Sequence, residues 1–469
     1  MSKPLVIVES PAKAKTLAKF LGAGFEVRAS VGHVADLPSK GLSIDVDNGF
    51  KPTYELTVRG KDVVKDLRAA MKDASELYLA TDEDREGEAI SWHLLEYLKP
   101  KVPVKRMVFH EITKSAIDHA VANPRSLDYG LVDAAETRRL LDRLYGYEVS
   151  PVLWRRVNRG LSAGRVQSPS VRLIVERERE RIAFVTAGYW DIDLLTGTTP
   201  AFTATLVAVD GTKVATGKDF TADGQPKKNV VVVTEGRARG LADALSSAAF
   251  AVRSVEEKPY RSSAKAPFMT STLQQEGGRK LRLGAAQVMR IAQGLYERGY
   301  ITYMRTDNVV LSAEALAAVR AEVQRGYGAK FLSPAPRQFS TKVKNAQEAH
   351  EAIRPSTPLR TPESLAGELN GQELSLYRLI WQRTLASQMA DAAGTTVSVR
   401  VGATAIENAA SSDCEFAASG TTITFAGYRQ VYVESTDDTE AEEEKEALLP
   451  PLTVGQQVPV AELTPNGHA

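Results

Sequence analysis

One stretch of the chain, residues 76–97, restricts the fold more than any other. Leu77–Ala80 is a short apolar run typical of a buried strand, and Ile90, Leu94 and Leu98 then recur at helical spacing. Between them, three carboxylates at alternate positions precede a glycine: Asp82, Asp84, Glu86 and Gly87. This order of strand, polar turn and helix is typical of an open α/β sheet, which places its sites at the carboxyl ends of its strands.

The three acidic side chains are candidates for a metal site. Alternate residues of an extended segment point to the same side, so Asp82, Asp84 and Glu86 are expected to converge. Carboxylate oxygens without a nearby Cys or His suit Mg²⁺, which often contacts phosphate as well. The alternative is an acidic loop exposed to solvent. The strand before the acids, and the glycine and helix after them, favour the metal site.

Composition limits the possible classes of protein. A chain of 469 residues is expected to hold several domains. Cys414 is the single cysteine, which excludes an internal disulfide and a cysteine-based zinc site. No apolar run approaches eighteen residues and no signal-peptide pattern follows Met1, so we expect a cytoplasmic protein without a membrane span. The net charge of +1 means that any binding of nucleic acid depends on local basic patches.

A second strand and helix precede the acidic stretch. Leu5–Val8 predicts a buried strand, and Ser10 with Pro11 predicts the start of a helix. If this strand and Leu77–Ala80 share one parallel sheet, Glu9 lies beside the acidic residues. Lys13 falls in the first helical turn, where the helix dipole does not favour a cation, so a nearby anion such as a phosphate is one explanation. A solvated surface lysine is the other.

The next part of the chain is rich in arginine. A strand is predicted over Val104–Phe109, a helix over Thr113–Val121 and a longer helix over Leu131–Tyr147. The long helix places two pairs of side chains four residues apart, Arg139 with Arg143 and Arg138 with Asp142. Paired arginines at this spacing can bind successive phosphates, and ordinary ion pairs on the helix surface are the alternative. From residue 152 to 182, eight arginines face three glutamates, and this net +5 favours a polyanion.

The remainder alternates between β-rich and helical patterns. Tyr189–Ser262 and Thr395–Glu434 have the alternation of strands, and a helical block near Ala266–Ala386 separates them. We therefore expect a discontinuous β domain with a helical domain inserted into it. Asp437–Glu446 holds seven acids and one lysine, which predicts a solvated, mobile loop.

The helical block contains a dense polar and aromatic link, residues 300–308. A helix predicted over Ala285–Arg298 ends at Gly299, and Ser312 is suited to cap the next one. Taken alone, Tyr303 beside Arg305 is an ordinary core aromatic next to a surface cation.

Five motifs in sequence resemble the type IA DNA topoisomerases, the bacterial topoisomerase I group. They are VIVESPAKAKTL at 6–17, LATDEDREGEAISWHL at 79–94, LSAGRVQSP at 161–169, GYITYMRTDN at 299–308 and HEAIRP at 350–355. The first two alone look like a Toprim domain, which also occurs in primases and nucleases. The tyrosine motif selects type IA.

The resemblance implies a multidomain fold that combines α/β, helical and β-rich parts in a toroidal clamp of four domains. The implied domains are a Toprim domain (1–36 and 62–128), a basic single-strand groove (37–61 and 129–185), a β-rich arch (186–262 and 388–469) and a helical domain with the tyrosine (263–387). In the family a further segment completes the groove, so the chain resembles an amino-terminal fragment with an incomplete groove. Full relaxation of supercoils by this chain alone is therefore not expected.

The resemblance also implies the chemistry. Tyr303 attacks a backbone phosphate and leaves a 5′-phosphotyrosine link, while Arg305 and Lys13 stabilise charge on the phosphate and Glu9 serves as general acid. Tyrosine ionises near pH 10, so its environment must assist the attack. Magnesium is expected on Glu9, Asp82, Asp84 and Glu86. The remaining site residues position the strand: His350, Arg138, Arg139, Asp142, Arg143, Arg165, Gln167 and Asp307.

The partners implied are single-stranded and negatively supercoiled DNA, without ATP, for a monomer in the cytoplasm at the nucleoid. No G-x-x-x-x-G-K-[ST] sequence is present, which agrees with chemistry that needs no ATP. The rival functions are a Toprim nuclease, which releases free ends, and a non-catalytic nucleic-acid clamp.

Overall fold

The computed structural model describes residues 2–340, 350–407, 410–433 and 449–469. Within them the chain forms two compact units, one of Met1–Val171 with Lys265–Met389 and one of Arg172–Ala264 with Ala390–Ala469. The acidic segment predicted over Asp437–Glu446 lies outside the described residues. None of the helices in the described part is long and apolar enough to cross a membrane.

The helices of the described residues are α1 (Pro11–Leu21), α2 (Val58–Met71), α3 (Arg85–Leu98), α4 (Lys114–Ala122), α5 (Tyr129–Arg156), α6 (Gln167–Ala183), α7 (Glu235–Leu245), α8 (Thr270–Leu281), α9 (Ala285–Glu297), α10 (Ala313–Tyr327) and α11 (Gly371–Ser387). The strands are β1 (Lys3–Val8), β2 (Glu26–Ala29), β3 (Ala35–Asp36), β4 (Ile44–Asp45), β5 (Lys51–Pro52), β6 (Glu55–Leu56), β7 (Ala74–Leu79), β8 (Val104–Arg106), β9 (Tyr189–Thr196), β10 (Thr203–Val209), β11 (Thr212–Val214), β12 (Val230–Val231), β13 (Phe250–Ser262), β14 (Ala392–Glu407), β15 (Ala410–Phe425), β16 (Gln457–Val458) and β17 (Val460–His468).

The first unit is built on a four-stranded parallel sheet in the order β2-β1-β7-β8. Leu5 and Ile7 of β1 lie beside Leu77 and Leu79 of β7 in a buried core that α2 and α3 cover. Sheets with parallel strands are covered by helices on their faces, which explains why both strands read as unbroken apolar runs. The expectation that these two strands share one parallel sheet is confirmed.

Local capping sets where the helices of this unit begin. The Ser10 side chain accepts a hydrogen bond from the Lys13 amide, with Pro11 in the first turn, so α1 starts where the sequence predicts. Asp84 caps α3 by accepting from the Gly87 amide, and the helix therefore begins at Arg85. The prediction of an extended acidic run is thus wrong, because Glu86 lies in the first turn of the helix.

Three boundaries predicted between residues 104 and 147 differ from those in the structure. The strand expected over Val104–Phe109 ends at Arg106, and the helix expected from Thr113 starts one residue later because Thr113 is its cap. The helix expected over Leu131–Tyr147 is longer, since α5 runs past Pro151 to Arg156. All residues of α6 have part of their surface exposed, and none is buried.

The second unit is a large, mostly antiparallel sheet in the order β12-β11-β10-β15-β14-β13-β16, which β9 and β17 extend from β10. The long strands β13, β14 and β15 run antiparallel to one another, and their inward side chains form a core with α7. The β-rich character predicted for this part is confirmed. Helix α7 was not predicted there; its apolar residues Leu241 and Leu245 pack into the same core.

The tight approach of α3 to the acidic turn gives a testable consequence. A Cβ built on Gly87 lies 2.1 Å from the Asp82 carbonyl oxygen, whereas one on Gly294 of α9 meets nothing within 4 Å. We expect Gly87→Ala to lower the free energy of unfolding by about 1–3 kcal/mol, the usual cost of overpacking. Gly294→Ala, the control, should raise it by about 0.5–1 kcal/mol, because alanine favours a helix. Thermal unfolding measures both, and a Gly87→Ala midpoint at or above that of the unaltered chain would contradict the prediction.

Candidate active site

A cleft of about 270 Å³ lies in the first unit at the carboxyl ends of β1 and β7. It brings together residues from distant parts of the sequence. The lining is Glu9, Ser10, Gly32, His33, Asp82, Asp84, Glu86, Gly87, Ile90, Gln293, Tyr303, Met304 and Arg305. The acidic residues, the tyrosine and the arginine singled out from the sequence therefore share one cavity.

Lys13 stands at the base of this arrangement and is completely buried. Its ammonium lies 2.8 Å from Asp82 Oδ1 and 3.1 Å from a Glu9 oxygen. The alternative of a solvated surface lysine is thus wrong, and the anions beside Lys13 are carboxylates of the chain itself. Burial alone would lower the pKa of Lys13, but Asp82 and Glu9 outweigh it and raise the pKa, so Lys13 remains charged.

Glu9 has a pKa suited to proton transfer near neutrality. Burial raises the pKa of its carboxyl to about 7, with Lys13 opposing the rise and Asp82 adding to it. A carboxyl of this kind exchanges its proton close to neutral pH, which a general acid that later acts as a base requires.

The hydroxyl of Tyr303 donates a hydrogen bond of 2.6 Å to Asp84 Oδ2. The other oxygen of Asp84 accepts from the Gly87 amide at 2.7 Å, so the same carboxylate caps α3 and holds the tyrosine. Burial, followed by the charges of Asp82 and Asp84, raises the pKa of Tyr303. The environment therefore favours the neutral hydroxyl, and the proton of that hydroxyl is directed at Asp84.

Arg305 lies at the mouth of the cleft with about half of its side chain exposed. Its guanidinium is 3.1 Å from a Glu86 oxygen, and the ring of His33 lies 3.7 Å from the other. His33 and Arg305 both lower the pKa of Glu86, which is therefore ionised. Arg305 is charged and partly solvated, and its guanidinium has the planar donor geometry that suits a carboxylate or a phosphate.

The oxygens of the predicted metal ligands fit Mg²⁺ by their chemistry. In the described residues, however, no group of three or more His, Cys, Asp and Glu side chains is placed to hold a metal ion together. Asp84 is engaged by Tyr303, Glu86 by Arg305, and Glu9 by Lys13. The predicted convergence of the carboxylates is therefore not observed, because a donor or cation of the chain occupies each one.

His350 and His110 support the tyrosine from the side. The rings of His350 and Tyr303 are arranged edge-on, with their centroids 5.5 Å apart. The His350 Nε2 lies 2.7 Å from the Glu83 carbonyl oxygen. His110 lies 2.8 Å from the Glu83 carboxylate, which raises the pKa of His110. The backbone carbonyl of His110 accepts a hydrogen bond of 2.9 Å from the Tyr303 amide.

Two further residues of the site were not predicted from the sequence. Tyr296 is buried on α9, donates to Asp82 at 3.0 Å and packs edge-on against Tyr303. Its helical spacing is that of a core residue, so no sequence signal marked it. Arg106 is buried and donates to the carbonyls of Leu79, Thr81 and Asp82, which fixes the backbone that aims the acidic side chains.

The predicted DNA-binding residues divide into two groups. A second cavity of about 320 Å³ is lined by Arg138, Arg139 and Asp142 of α5 together with Glu86 and Arg305. These three residues of α5 therefore adjoin the tyrosine cleft. The other four predicted residues line neither cavity: Arg143, Arg165, Gln167 and Asp307.

Most of these side chains bind other parts of the chain. Arg139 pairs with Asp36, Arg143 donates to the carbonyls of Leu37 and Pro38, and Arg165 grips Asp142 at 2.7 and 3.1 Å. Gln167 accepts from Ser162, and Asp307 is exposed. The arginines thus tie α5 to loops on both sides, in addition to any role toward DNA.

Two families match the sequence. The DNA topoisomerase family matches residues 126–469, and the Toprim domain family matches residues 4–112. The chain is 55% identical to DNA topoisomerase 1 of Streptomyces coelicolor and 53% identical to that of Mycolicibacterium smegmatis. Each match covers 99% of this chain but 51% and 52% of the relative, so the chain spans about half the length of these curated relatives.

A solved structure supports the same assignment. Full-length topoisomerase I from Thermotoga maritima superposes with a TM-score of 0.80 at 32% sequence identity. The match covers 99% of this chain and 72% of that one. Together with the family matches, it shows that this chain belongs to the type IA DNA topoisomerase family.

Proposed function

We propose that this chain carries the cleavage and rejoining centre of a type IA DNA topoisomerase, which cuts, passes and rejoins single DNA strands without ATP and relaxes negative supercoils in the full-length enzyme. The observation that carries the proposal is the Tyr303 hydroxyl, held 2.6 Å from Asp84 in a cleft that also contains Arg305 and Glu9. The decisive experiment asks whether a labelled single-stranded oligonucleotide becomes covalently attached to the protein.

In the proposed cleavage step the Tyr303 oxygen bonds to phosphorus and its proton passes to Asp84. The bond from phosphorus to the 3′ oxygen breaks, and Glu9 donates a proton to that oxygen, for which its pKa of about 7 is suitable. Arg305 moves from Glu86 to the phosphate and stabilises its charge. Rejoining is the reverse, with Glu9 as base. The covalent link conserves the energy of the phosphodiester, so no ATP is consumed.

We propose a role for Lys13 that differs from the one that the resemblance implies. Its ammonium is buried and held by Glu9 and Asp82, so we place it as a positioning residue for these two carboxylates. It fixes the orientation of Glu9 and limits the repulsion between Glu9 and Asp82. The ring of His350 packs edge-on against Tyr303, so we place His350 as a positioning residue for the nucleophile.

Toprim domains and type IA topoisomerases generally depend on Mg²⁺. We propose that Asp82, Asp84 and Glu86 hold it, with Glu9 nearby, after Tyr303 and Arg305 have moved to the DNA phosphate. When bound, Mg²⁺ supplies positive charge beside the phosphate during rejoining. Asp84 would then serve either Tyr303 or the metal, but not both at once.

The DNA partner and the wider arrangement are also proposals. The bacterial relatives are DNA topoisomerases by name, and the arginines of α5 beside the cleft support binding of single-stranded DNA. Negatively supercoiled DNA supplies such strands, and the enzyme acts as a monomer in the cytoplasm at the nucleoid. The second compact unit, Arg172–Ala264 with Ala390–Ala469, supports the predicted arch within the four-domain clamp.

The nucleophile is tested by Tyr303→Phe, which removes a hydroxyl and keeps the ring contacts. We expect the covalent adduct with labelled oligonucleotide to disappear while binding of the oligonucleotide persists. Tyr300→Phe is the matched control, because the Tyr300 hydroxyl binds Glu368 and lies outside the cleft. An adduct that survives in Tyr303→Phe would assign the nucleophile to another residue, and an unaltered protein that cuts without any adduct would indicate a nuclease.

The metal site is tested by changing Asp82 and Asp84 to asparagine in a longer chain that includes the segment found in the relatives. Loss of groups that merely support metal ligands already costs about 10–100-fold in affinity or activity, so we expect Mg²⁺-dependent rejoining to fall at least about tenfold. Titration calorimetry with magnesium chloride should lose its signal in parallel. Asp118→Asn is the control, since that exposed carboxylate pairs with Lys114. Normal rejoining at limiting Mg²⁺ would exclude this metal site.

Relaxation by the 469-residue chain alone is expected to be poor. Strand passage requires the free end of the cut strand to be held without a covalent link. In this chain α6, which carries the predicted DNA-binding residue Gln167, has no buried residue, as expected for one wall of an incomplete groove. Each base stacked on the protein is worth about 1–3 kcal/mol, so a groove that loses two such contacts holds the strand at least about tenfold more weakly. A plasmid assay at equal concentrations should show relaxation only in the longer chain. Full activity of the 469-residue chain would overturn this.

A further inference from the structure

The segment that carries Tyr303 is held by backbone hydrogen bonds on two sides. The Tyr303 amide donates to the His110 carbonyl, and the Thr302 amide donates to the Arg354 carbonyl, each at 2.9 Å. The Thr302 hydroxyl adds a bond of 2.7 Å to the Ala352 carbonyl. The position of the nucleophile therefore depends on how the backbones at His110 and Arg354 lie relative to each other.

The side chains at these two places form a buried ion pair. Glu111 follows His110 directly and is 7% exposed, and Arg354 is 2% exposed. An Arg354 guanidinium nitrogen lies 2.7 Å from Glu111 Oε2. Arg354 also binds Glu351 at 2.7 Å, and Glu111 accepts from the amide and hydroxyl of Thr357 at 3.2 and 2.7 Å. Each charged group is thus satisfied by several partners.

The backbone at Gly299 also lies close to the backbone that follows Glu111. Gly299 has φ +81°, and a Cβ built on it lies 2.4 Å from the Ile112 carbonyl oxygen. The residues after Glu111 therefore touch the start of the tyrosine motif directly. An ion pair in such a place adds little net stability compared with an apolar pair of the same size, but it fixes direction and distance.

We propose that Glu111 and Arg354 are a positioning pair that sets Tyr303 against Asp84. Through the carbonyls of His110 and Arg354, the pair holds both sides of the nucleophile's backbone, and the 2.6 Å bond from Tyr303 to Asp84 depends on that placement. This inference rests on the proposed function for its catalytic consequence. Its structural consequence, a fixed Tyr303 backbone, is independent of that function.

The pair is tested with Glu111→Gln, Arg354→Gln, the double variant and Arg354→Lys in the 469-residue chain. Arg360→Gln is the matched control, because Arg360 lies near Arg354 in the sequence but forms an exposed ion pair with Glu368. The first measurement, made without DNA, is amide hydrogen exchange. We expect hydrogen exchange at the Tyr303 and Thr302 amides to become at least about tenfold faster in the two single glutamine variants. A change of this size corresponds to the usual interaction energy between contacting residues. Exchange within α9 and α11, and in the control, should not change.

The second measurement is the rate of adduct formation with a labelled oligonucleotide. We expect the rate at saturating oligonucleotide to fall about tenfold while the half-saturating concentration stays the same, because the pair acts on the nucleophile and not on binding. The double variant should resemble either single variant, and Arg354→Lys should recover part of the rate. These results would separate positioning from general stabilisation of the fold.

Unchanged exchange at Tyr303 together with an unchanged saturating rate would overturn the proposal, as would faster exchange spread evenly over α9 and α11. Should the charge variants fail to fold, Thr357→Val takes their place, since it removes one hydrogen bond to Glu111 and leaves both charges. If the unaltered chain forms no adduct, the proposed function fails, and hydrogen exchange still decides the role of the pair.

Discussion

The site depends on one buried cation. Lys13 has no exposed surface, and its ammonium joins Glu9 at the end of β1 to Asp82 after the end of β7. Two carboxylates this close in a buried place repel each other, so the pair requires a positive charge between them. Asp82 in turn accepts from Tyr296, which packs on Tyr303. The nucleophile is therefore linked to the centre of the sheet by a short series of direct contacts.

A second buried cation acts on the backbone. Arg106 binds the carbonyls of Leu79, Thr81 and Asp82, so the turn after β7 cannot move without leaving a buried guanidinium unsatisfied. Asp84 then caps α3 and accepts the Tyr303 hydroxyl. One turn of the chain thus combines a structural cap with the acceptor for the nucleophile, and this explains why the acidic motif is so compact.

Each acidic residue has a different partner, and these partners give the acids different properties. Burial raises the pKa of Glu9 to about 7, whereas His33 and Arg305 lower the pKa of Glu86. A proton donor and an ionised carboxylate can therefore stand in one cleft at the same pH. The same partners keep the carboxylates from converging on a metal ion in this arrangement, so proposed metal binding is coupled to movement of Tyr303 and Arg305.

Apolar periodicity and local capping were enough to predict the strands at Leu5–Val8 and Leu77–Ala80, the Ser10 cap and the β-rich second unit. The sequence also marked Tyr303 and Arg305, through the family motif. Three features became visible only in the folded chain: Lys13 faces carboxylates, Glu86 lies on a helix, and Tyr296, Glu111 and Arg354 lie around the segment that carries Tyr303. Their partners are distant in sequence, and contacts across such distances leave no periodic pattern to read.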